Sequence, residues 1–234
     1  MSSVAQQMLL VSGNAPATIA YVGLTTVGVI MVDAVSVPGV PIGPVASNRY
    51  VFILVHYTTS TGSPTPLASA SIGGVPAKIQ VNNGSGTGSG NLLGVSIISA
   101  LVPTGTTATV NLTFVAGATF HNVFLETYQV TGLLSDTPIA TISDNPVGVQ
   151  PYLANISVQK SGVLLFGATT YSAAVGYAIS GANQDYDDPQ GTDFASIGSS
   201  LAVSATEANR AFSITRFGGS GTAFNATVVA ASFR

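Results

Sequence analysis

The sequence has 234 residues, a net charge of −3 and a charged fraction of only 6%, while hydrophobic residues make up 46% of it. This balance excludes intrinsic disorder, which requires high charge and low hydrophobicity. The six Lys and Arg are scattered and cannot form a surface that follows a phosphate backbone, so nucleic-acid binding is not expected. The sequence has no Cys, which excludes disulfides and thiolate chemistry.

A surface with so few ions must be built mainly from Ser, Thr, Asn and Gly. Little charge repulsion then keeps copies of the protein apart, and uncharged polar groups lose less on burial than Lys or Glu would. The composition therefore predicts a protein that works in contact with neighbours. The alternative is a weakly charged monomer.

Residues 1–14 are predicted to form an N-terminal arm. They carry no basic residue before their short apolar stretch, so a secretory signal peptide is not expected. The next apolar run, Val27–Val32, ends at Asp33 and is too short to cross a bilayer, so no membrane association is expected.

Runs of Val, Ile, Leu, Thr and aromatic residues, separated by Gly- and Pro-rich clusters, predict an all-β chain. The predicted strands are Thr18–Val22, Val27–Val32, Tyr50–Tyr57, Leu67–Ile72, Ala77–Val81, Leu93–Leu101, Thr107–Phe114, His121–Val130, Leu153–Val158, Val163–Thr169, Ile197–Val203, Ala211–Thr215 and Ala223–Ser232. Strands in this number are enough for two packed sheets.

Two strands show contrasting patterns. The run Tyr50–Val55 is apolar on both faces, which is typical of the centre of a sandwich or of a strand beneath a neighbouring subunit. Thr107–Phe114 alternates, with Thr and Asn on one face and aliphatic or aromatic residues on the other. Between strands, the sequence of 72–76 predicts a tight hairpin and that of 82–90 a polar surface loop.

These elements predict a single antiparallel β-sandwich of jelly-roll type over residues 15–234. The Pro-containing stretch 131–151 is the best candidate for a crossover, with a sub-boundary near 133–150. Two tandem immunoglobulin-like sandwiches that divide at this boundary are the alternative.

Strand and turn residues at six places carry a resemblance: Asn48–Val55, Ser69–Ala77, Ala100–Val110, Tyr128–Leu133, Gln184–Asp187 and Val228–Phe233. Together they resemble a family of uncharacterised, β-rich structural proteins of tailed bacteriophages and prophages. The likeness extends from residue 30 to the end of the chain. It implies a class of protein, a virion component, rather than a catalytic role.

Few residues point to chemistry. His56 and His121 lie in predicted strands with no nucleophile and carboxylate beside them, so no catalytic residue, no cofactor and no enzymatic activity are expected. Glu126 lies inside a predicted strand. If it points inward it requires a partner, for which Arg49 is the candidate; otherwise it points to solvent.

The strongest concentration of acid is Asp185–Asp193, predicted as a loop. Its carboxylates Asp185, Asp187, Asp188 and Asp193 are weak Ca²⁺ candidates, because Ca²⁺ prefers hard oxygen ligands at alternating loop positions. The spacing does not match an EF-hand, and Asp and Gly are ordinary turn formers. A plain solvated loop is therefore favoured over a metal site.

Three tyrosines near these acids offer a further hypothesis. Tyr171, Tyr177 and Tyr186 could stack on a sugar, so an alternative function is a glycan-binding or receptor-contact module, or an adhesin. The favoured function is a non-enzymatic virion component, a head-decoration, fibre or tail-associated protein. It is expected to be located in the virion, to self-associate, with a homotrimer preferred, and to dock onto other virion proteins.

Overall fold

The structure, a computed structural model, describes residues 15–59, 66–87, 92–116, 121–148, 150–171, 176–190, 194–217 and 225–234. The predicted arm, residues 1–14, lies outside this part of the chain. The described residues form β-strands throughout and contain no helix that could cross a membrane. The all-β, antiparallel sandwich predicted from the sequence is confirmed.

Sixteen strands make up the described fold. They are β1 Thr18–Ile30, β2 Ala34–Pro41, β3 Tyr50–Thr59, β4 Leu67–Ile72, β5 Val75–Thr87, β6 Leu92–Leu101, β7 Thr107–Phe114, β8 His121–Thr131, β9 Ala140–Asp144, β10 Tyr152–Val158, β11 Val163–Tyr171, β12 Gly176–Ser180, β13 Asn183–Gln190, β14 Phe194–Ala202, β15 Glu207–Phe217 and β16 Asn225–Phe233.

The first eight strands pair as a long ribbon folded on itself. β1 pairs with β8, β2 with β7, β3 with β6 and β4 with β5, all antiparallel. The ribbon is rolled up because β8 also pairs with β3, and β7 with β4. The result is a jelly roll, the first roll, in which the eight strands form one continuous sheet in the order β1-β8-β3-β6-β5-β4-β7-β2. We call its part β1-β8-β3-β6-β5 the inner sheet and its part β4-β7-β2 the outer sheet, which are joined where β5 pairs with both β6 and β4.

The last eight strands repeat this topology. β9 pairs with β16, β10 with β15 and β11 with β14, and the rolled pairs are β16 with β11 and β15 with β12. The inner sheet of this second roll has the order β13-β14-β11-β16-β9 and its outer sheet is β10-β15-β12. Each strand occupies the position of the strand eight places earlier, so the chain builds the jelly roll twice.

The two rolls stack through their inner sheets, giving four layers and three apolar cores. One core lies inside the first roll, around Val51, Ile53 and Val55, and one inside the second roll, around Leu164 and Phe166. The third lies between the inner sheets, where Phe52 packs edge-on against Phe233 with ring centroids 4.8 Å apart. Each inner sheet therefore has both faces covered.

The stacking of the two rolls explains why β3 is apolar on both faces. Side chains of β3 alternate between the core of the first roll and the core between the rolls, and residues 51–59 are all buried. A strand covered on both faces loses the polar alternation of a half-exposed strand. The cover for β3 is supplied by the second half of the same chain.

The two rolls point the same way. Along β3, the residues Phe52, Leu54 and His56 approach Phe233, Gly167 and Thr169 in turn. Since Phe233 pairs with Val163 at the start of β11, β3 and β11 run in the same direction. Equivalent strand ends of the two rolls therefore lie at the same end of the molecule. The end at which β3 and β11 begin carries Ala15 and Arg234, and we call it the terminal end.

The hairpin predicted at residues 72–76 is confirmed, with Ile72 opposite Val75 and both intervening glycines at positive φ. Other boundaries were predicted wrongly. Thr18–Ile30 is one strand with irregularities at Gly23 and Gly28, and β5 continues to Thr87 through residues predicted as a loop. The strands β2, β9, β12 and β13 were missed.

Candidate functional site

A cluster of buried polar side chains lies between the two inner sheets. We call it the interface cluster: His56 on β3, Glu126 and Tyr128 on β8, Thr169 on β11 and Asp185 on β13. The first four are at most 1% exposed. Because polar groups cost free energy to bury unless they have partners, the contacts within this cluster decide what it can do.

Thr169 fixes the orientation of the imidazole. Its Oγ1 donates a hydrogen bond to the carbonyl of Gly94 at 2.9 Å, and it lies 3.0 Å from Nδ1 of His56. Since the hydroxyl proton is used on Gly94, the contact with His56 requires Nδ1 to donate. This hydrogen bond connects the first roll to the second, and it leaves Nε2 directed at Glu126.

Glu126 is held between the imidazole and a phenol. Its Oε1 lies 3.5 Å from Nε2 of His56, and the hydroxyl of Tyr128 donates to its Oε2 at 3.4 Å. The carboxylate fits because Gly198 on β14 has no side chain, and a Cβ at that position would collide with Oε2. The absence of a side chain at Gly198 of the second roll thus leaves room for the carboxylate of Glu126.

Two further groups border the cluster from β13 and β1. Burial raises the pKa of Asp185 above its usual value of 3.8, and the charge of Glu126 adds to this rise, while a hydrogen bond from Ser200 opposes it. Burial, with the charges of Glu126 and Asp185, raises the pKa of Tyr21 to about 12. Both shifts show that negative charge is disfavoured at this interface.

The raised pKa of Asp185 gives a prediction for stability. Below pH 3.8 the carboxyl is protonated in both the folded and the unfolded chain. As pH rises above 3.8, the unfolded chain releases this proton first, so folding becomes less favourable. Asp185→Asn is therefore expected to gain stability relative to the unmodified protein as pH rises from 4 to 7. Urea unfolding of both proteins at both pH values measures this difference, and an unchanged difference would contradict it.

In space, the side chains of Thr169, His56 and Glu126 follow one another as the hydroxyl, base and acid of a catalytic triad do. Such catalysis requires a substrate beside the hydroxyl, but Thr169 is 1% exposed and its proton is committed to Gly94. The cluster is enclosed by the two inner sheets. Its geometry therefore fits a structural junction and does not offer a reaction site.

The predicted partner of Glu126 was wrong. Glu126 does point inward, but its neighbours are His56 and Tyr128. Arg49 is itself buried and donates all five of its N–H groups to backbone carbonyls, at 2.7 to 2.9 Å. The acceptors are the carbonyls of Gly43, Pro44, Val102, Thr104 and Gly105. Arg49 thus ties two turns together at the terminal end.

The acidic stretch is a strand rather than a loop up to Gln190. Asp185 and Asp187 diverge: Asp185 lies beside Tyr128, whereas Oδ2 of Asp187 accepts a hydrogen bond from the backbone N–H of Tyr177 at 2.8 Å. Among the described residues no group of three or more acidic or His side chains could hold a metal ion. The side chain of Asp188 and all of Asp193 lie outside the described residues.

The side chain of Asp187 binds the backbone of β12, a role that the sequence did not indicate. β12 and β13 have no backbone ladder like that of β4 and β5 in the first roll. Side chains of β13 replace it, since Asp187 and Gln184 accept from the N–H groups of Tyr177 and Ile179, and Gln184 donates to the carbonyl of Tyr177. These contacts satisfy backbone groups at a strand edge that would otherwise be open to pairing.

Tyr177 and Tyr186, whose side chains the structure describes, do not lie together as an exposed cluster for sugar stacking. Tyr177 is 3% exposed, and its hydroxyl lies 2.7 Å from Oγ1 of Thr170 in the core of the second roll. Tyr186 is half-buried and pairs with Gly198, so it lies on the opposite face of its sheet. The side chain of Tyr171 lies outside the described residues.

A groove of about 300 Å³ opens at the terminal end, between the start of β1 and the turn from β10 to β11. Pro16, Ala17, Lys160, Ser161 and Val203 are among the residues that line it. Ser161 has a φ of 66°, an unusual conformation for a residue with a side chain, and its carbonyl accepts from the N–H of Ala17. The groove contains one cation and no acid or His, so it has no acid–base pair.

The broad outer faces of the stack carry few charges. The outer sheet of the first roll presents Ser36, Ser69, Thr107, Thr109, Asn111 and Thr113 to solvent, and that of the second roll presents Leu153, Asn155, Ser180 and Ala211. The charged residues of the outer sheets all lie on β15, where Arg210 pairs with Glu207 near the terminal end and Arg216 is half-buried. The ion pair Lys78–Asp136 also lies at the terminal end. The outer sheet of the first roll therefore has no charged residue, and that of the second roll has charged residues on one strand.

In comparisons with known proteins, no family model matches the chain, and no curated protein or solved structure matches it either.

Proposed function

We propose that this protein is a non-enzymatic structural component of a tailed-phage virion, which acts by self-association and by docking onto other virion proteins. The observation that carries this proposal is the pair of broad outer faces, which are built mainly from Ser, Thr, Asn and aliphatic residues, with charged residues only on β15. Such faces lose little solvation when they are covered, and little charge keeps them apart.

The architecture supports the same proposal. Jelly rolls are common in viral capsid and lectin domains, although a fold by itself does not define a function. Two rolls joined through a third apolar core make a thick block in which both inner sheets are buried. A block of this kind suits a mechanical role, and its only grouping of hydroxyl, imidazole and carboxylate among the described residues is sealed from substrates.

The location is tested by quantitative mass spectrometry of purified phage particles from a host that carries the gene. We expect the chain at a fixed copy number per particle, in a multiple of three if the trimer is correct. Particles that contain no copies of the chain would refute the virion function.

Self-association through the outer faces gives a separate prediction. Thr109→Lys combined with Leu153→Lys places a cation at an exposed position on each outer face, where Leu153 is 70% exposed. Repulsion and desolvation of the ammonium groups are expected to weaken association at least about tenfold, or roughly 1.4 kcal/mol. Light scattering coupled to size-exclusion chromatography over a concentration series measures this change.

A matched control is Ala205→Lys, at an exposed turn of the terminal end. It adds the same charge away from the outer faces and is expected to leave association unchanged. Equal weakening by both changes, or an unmodified protein that stays monomeric at high concentration, would contradict association through the outer faces.

A further inference from the structure

The interface cluster has a feature that the proposed function does not use. The core between the rolls is otherwise apolar and contains Phe52, Leu54, Val95, Ile97, Val163, Leu165 and Phe233. An imidazole and a carboxylate lie in the same interface, each with a fully buried side chain, 3.5 Å apart. Such a pair adds less to stability than apolar packing would, but breaking it is costly, because one buried charge is left without a partner.

The hydrogen bonds of Thr169 place one proton of this pair. Nδ1 of His56 must carry a proton, because Thr169 uses its own on Gly94. If Nε2 and Oε1 both lacked a proton, two lone pairs would face each other in a dry space. One proton between Nε2 and Oε1 makes the contact favourable and leaves the pair with no net charge. A second proton would leave an enclosed imidazolium opposite a neutral carboxylic acid.

The groups around the pair give little compensation for that positive charge. The titratable side chains that face the pair are Tyr128 from β8, Tyr21 from β1 and Asp185 from β13, and negative charge on all three is disfavoured by burial. β14 contributes Gly198 and Ser196, and β11 contributes Thr169. Asp188 is placed opposite Ser196 in the ladder, with its side chain outside the described residues.

The partners of the pair come from both rolls. His56 and Glu126 belong to the first roll, whereas Thr169 and the space beside Gly198 belong to the second. Separating the inner sheets would let water solvate an imidazolium without breaking a backbone ladder of either roll. We propose that His56 and Glu126 form an acid-sensitive latch, which holds the inner sheets together while the pair is neutral and releases them when it gains a second proton.

The opening is measured by acid titration of the full chain with two probes. Binding of the dye ANS reports exposure of the apolar core between the rolls, and the far-UV circular dichroism reports the strands. We expect dye binding to rise at a pH where the strand signal is still intact. Simultaneous loss of both signals would overturn the latch, because the rolls would then unfold instead of separating.

Matched variants test the role of the pair. His56→Gln with Glu126→Gln keeps polar side chains of similar size but removes both titrating groups, and it is expected to lower the midpoint of dye binding by at least one pH unit. Lys78→Gln with Asp136→Asn neutralises an ion pair whose lysine is mainly exposed, with Nζ and Oδ2 2.7 Å apart, and is expected to leave the midpoint unchanged. Equal midpoints for the two double variants would overturn the latch.

A measurement on the unaltered interface avoids dependence on the folding of that variant. The chain contains two histidines, so His121→Gln leaves the His56 ring as a single NMR signal. We expect the ring signal to change at the same pH as dye binding. A ring that titrates while the interface stays closed, or that does not titrate when it opens, would overturn the proposal.

Discussion

Arg49→Met is expected to lower the free energy of unfolding by about 3 to 5 kcal/mol, the largest effect of any single change considered for this chain. Methionine fills part of the space but cannot donate a hydrogen bond. Five backbone carbonyls at 2.7 to 2.9 Å would lose their donor together. Those carbonyls belong to the segments around Gly43 and Thr104, which Arg49 holds beside the start of β3.

Urea unfolding followed by circular dichroism measures this loss, with the slope against denaturant compared to confirm that the same surface is exposed. Arg49→Lys is expected to recover only part of it, because an ammonium has three donors and no planar fork. Lys78→Met is the control, since its side chain is 58% exposed and its loss should cost less than about 1 kcal/mol. A loss below 1 kcal/mol for Arg49→Met would contradict the role of the guanidinium.

Gly198→Ala is expected to be the second most damaging change, with a loss of about 3 kcal/mol. The added methyl group would collide with the carboxylate of Glu126 and lie 2.8 Å from the hydroxyl of Tyr128. Neither neighbour has free space, because both are enclosed between the inner sheets. The rolls would have to move apart, or Glu126 would have to leave His56.

A control and a double variant identify the cause of this loss. At Gly176 on β12 a Cβ would meet only Oδ2 of Asp187, at 3.3 Å, so Gly176→Ala is expected to cost much less. Combining Gly198→Ala with Glu126→Ala should make the two effects strongly non-additive, because the collision no longer occurs. Additive effects in thermal or urea unfolding would show that Glu126 is not what Gly198 accommodates.

Runs of strand-forming residues between Gly- and Pro-rich turns predicted the fold class, because most strands of this chain are such runs. The alternation of Thr107–Phe114 matched the observed burial at every position, and two successive glycines predicted the turn after Ile72. β2 was missed because it contains Pro38 and Pro41, which are tolerated at the edge of a sheet. β13 was missed because Asp and Gln are typical of loops, yet here they bond to a strand edge.

The interface cluster could not be predicted, because its members meet only after the rolls have stacked. A glutamate within an apolar strand did indicate a buried carboxylate. Its proximity to His56 depends on the pairing of β3 with β8, and Thr169 is 113 residues away from His56 in the sequence. Arg49 was a reasonable partner by charge, but its guanidinium is used by main-chain carbonyls, which a sequence does not display.

The repeated topology was also hidden from the sequence. The sixth strand of each roll contains a similar segment, Ser96–Ser99 and Ser196–Ser199. The first isoleucine of each segment nevertheless faces a different way, since Ile97 packs between the rolls and Ile197 packs inside its own roll, as Ile98 does in the first roll. Equivalent strands therefore share a path through the fold but not a pattern of side chains, because each roll is covered by a different neighbour.

The order of the two rolls along the chain has a consequence for biosynthesis. A ribosome completes β8 before it makes the 102 residues from 132 to the end of β16, which take roughly 5 to 20 s at 5 to 20 residues per second. During that interval the nascent first roll exposes Phe52, Leu54 and Ile97 to solvent, because the sheet that covers them has not been translated. Chaperone binding or aggregation of a fragment that ends after Thr131 would be the visible sign of this delay.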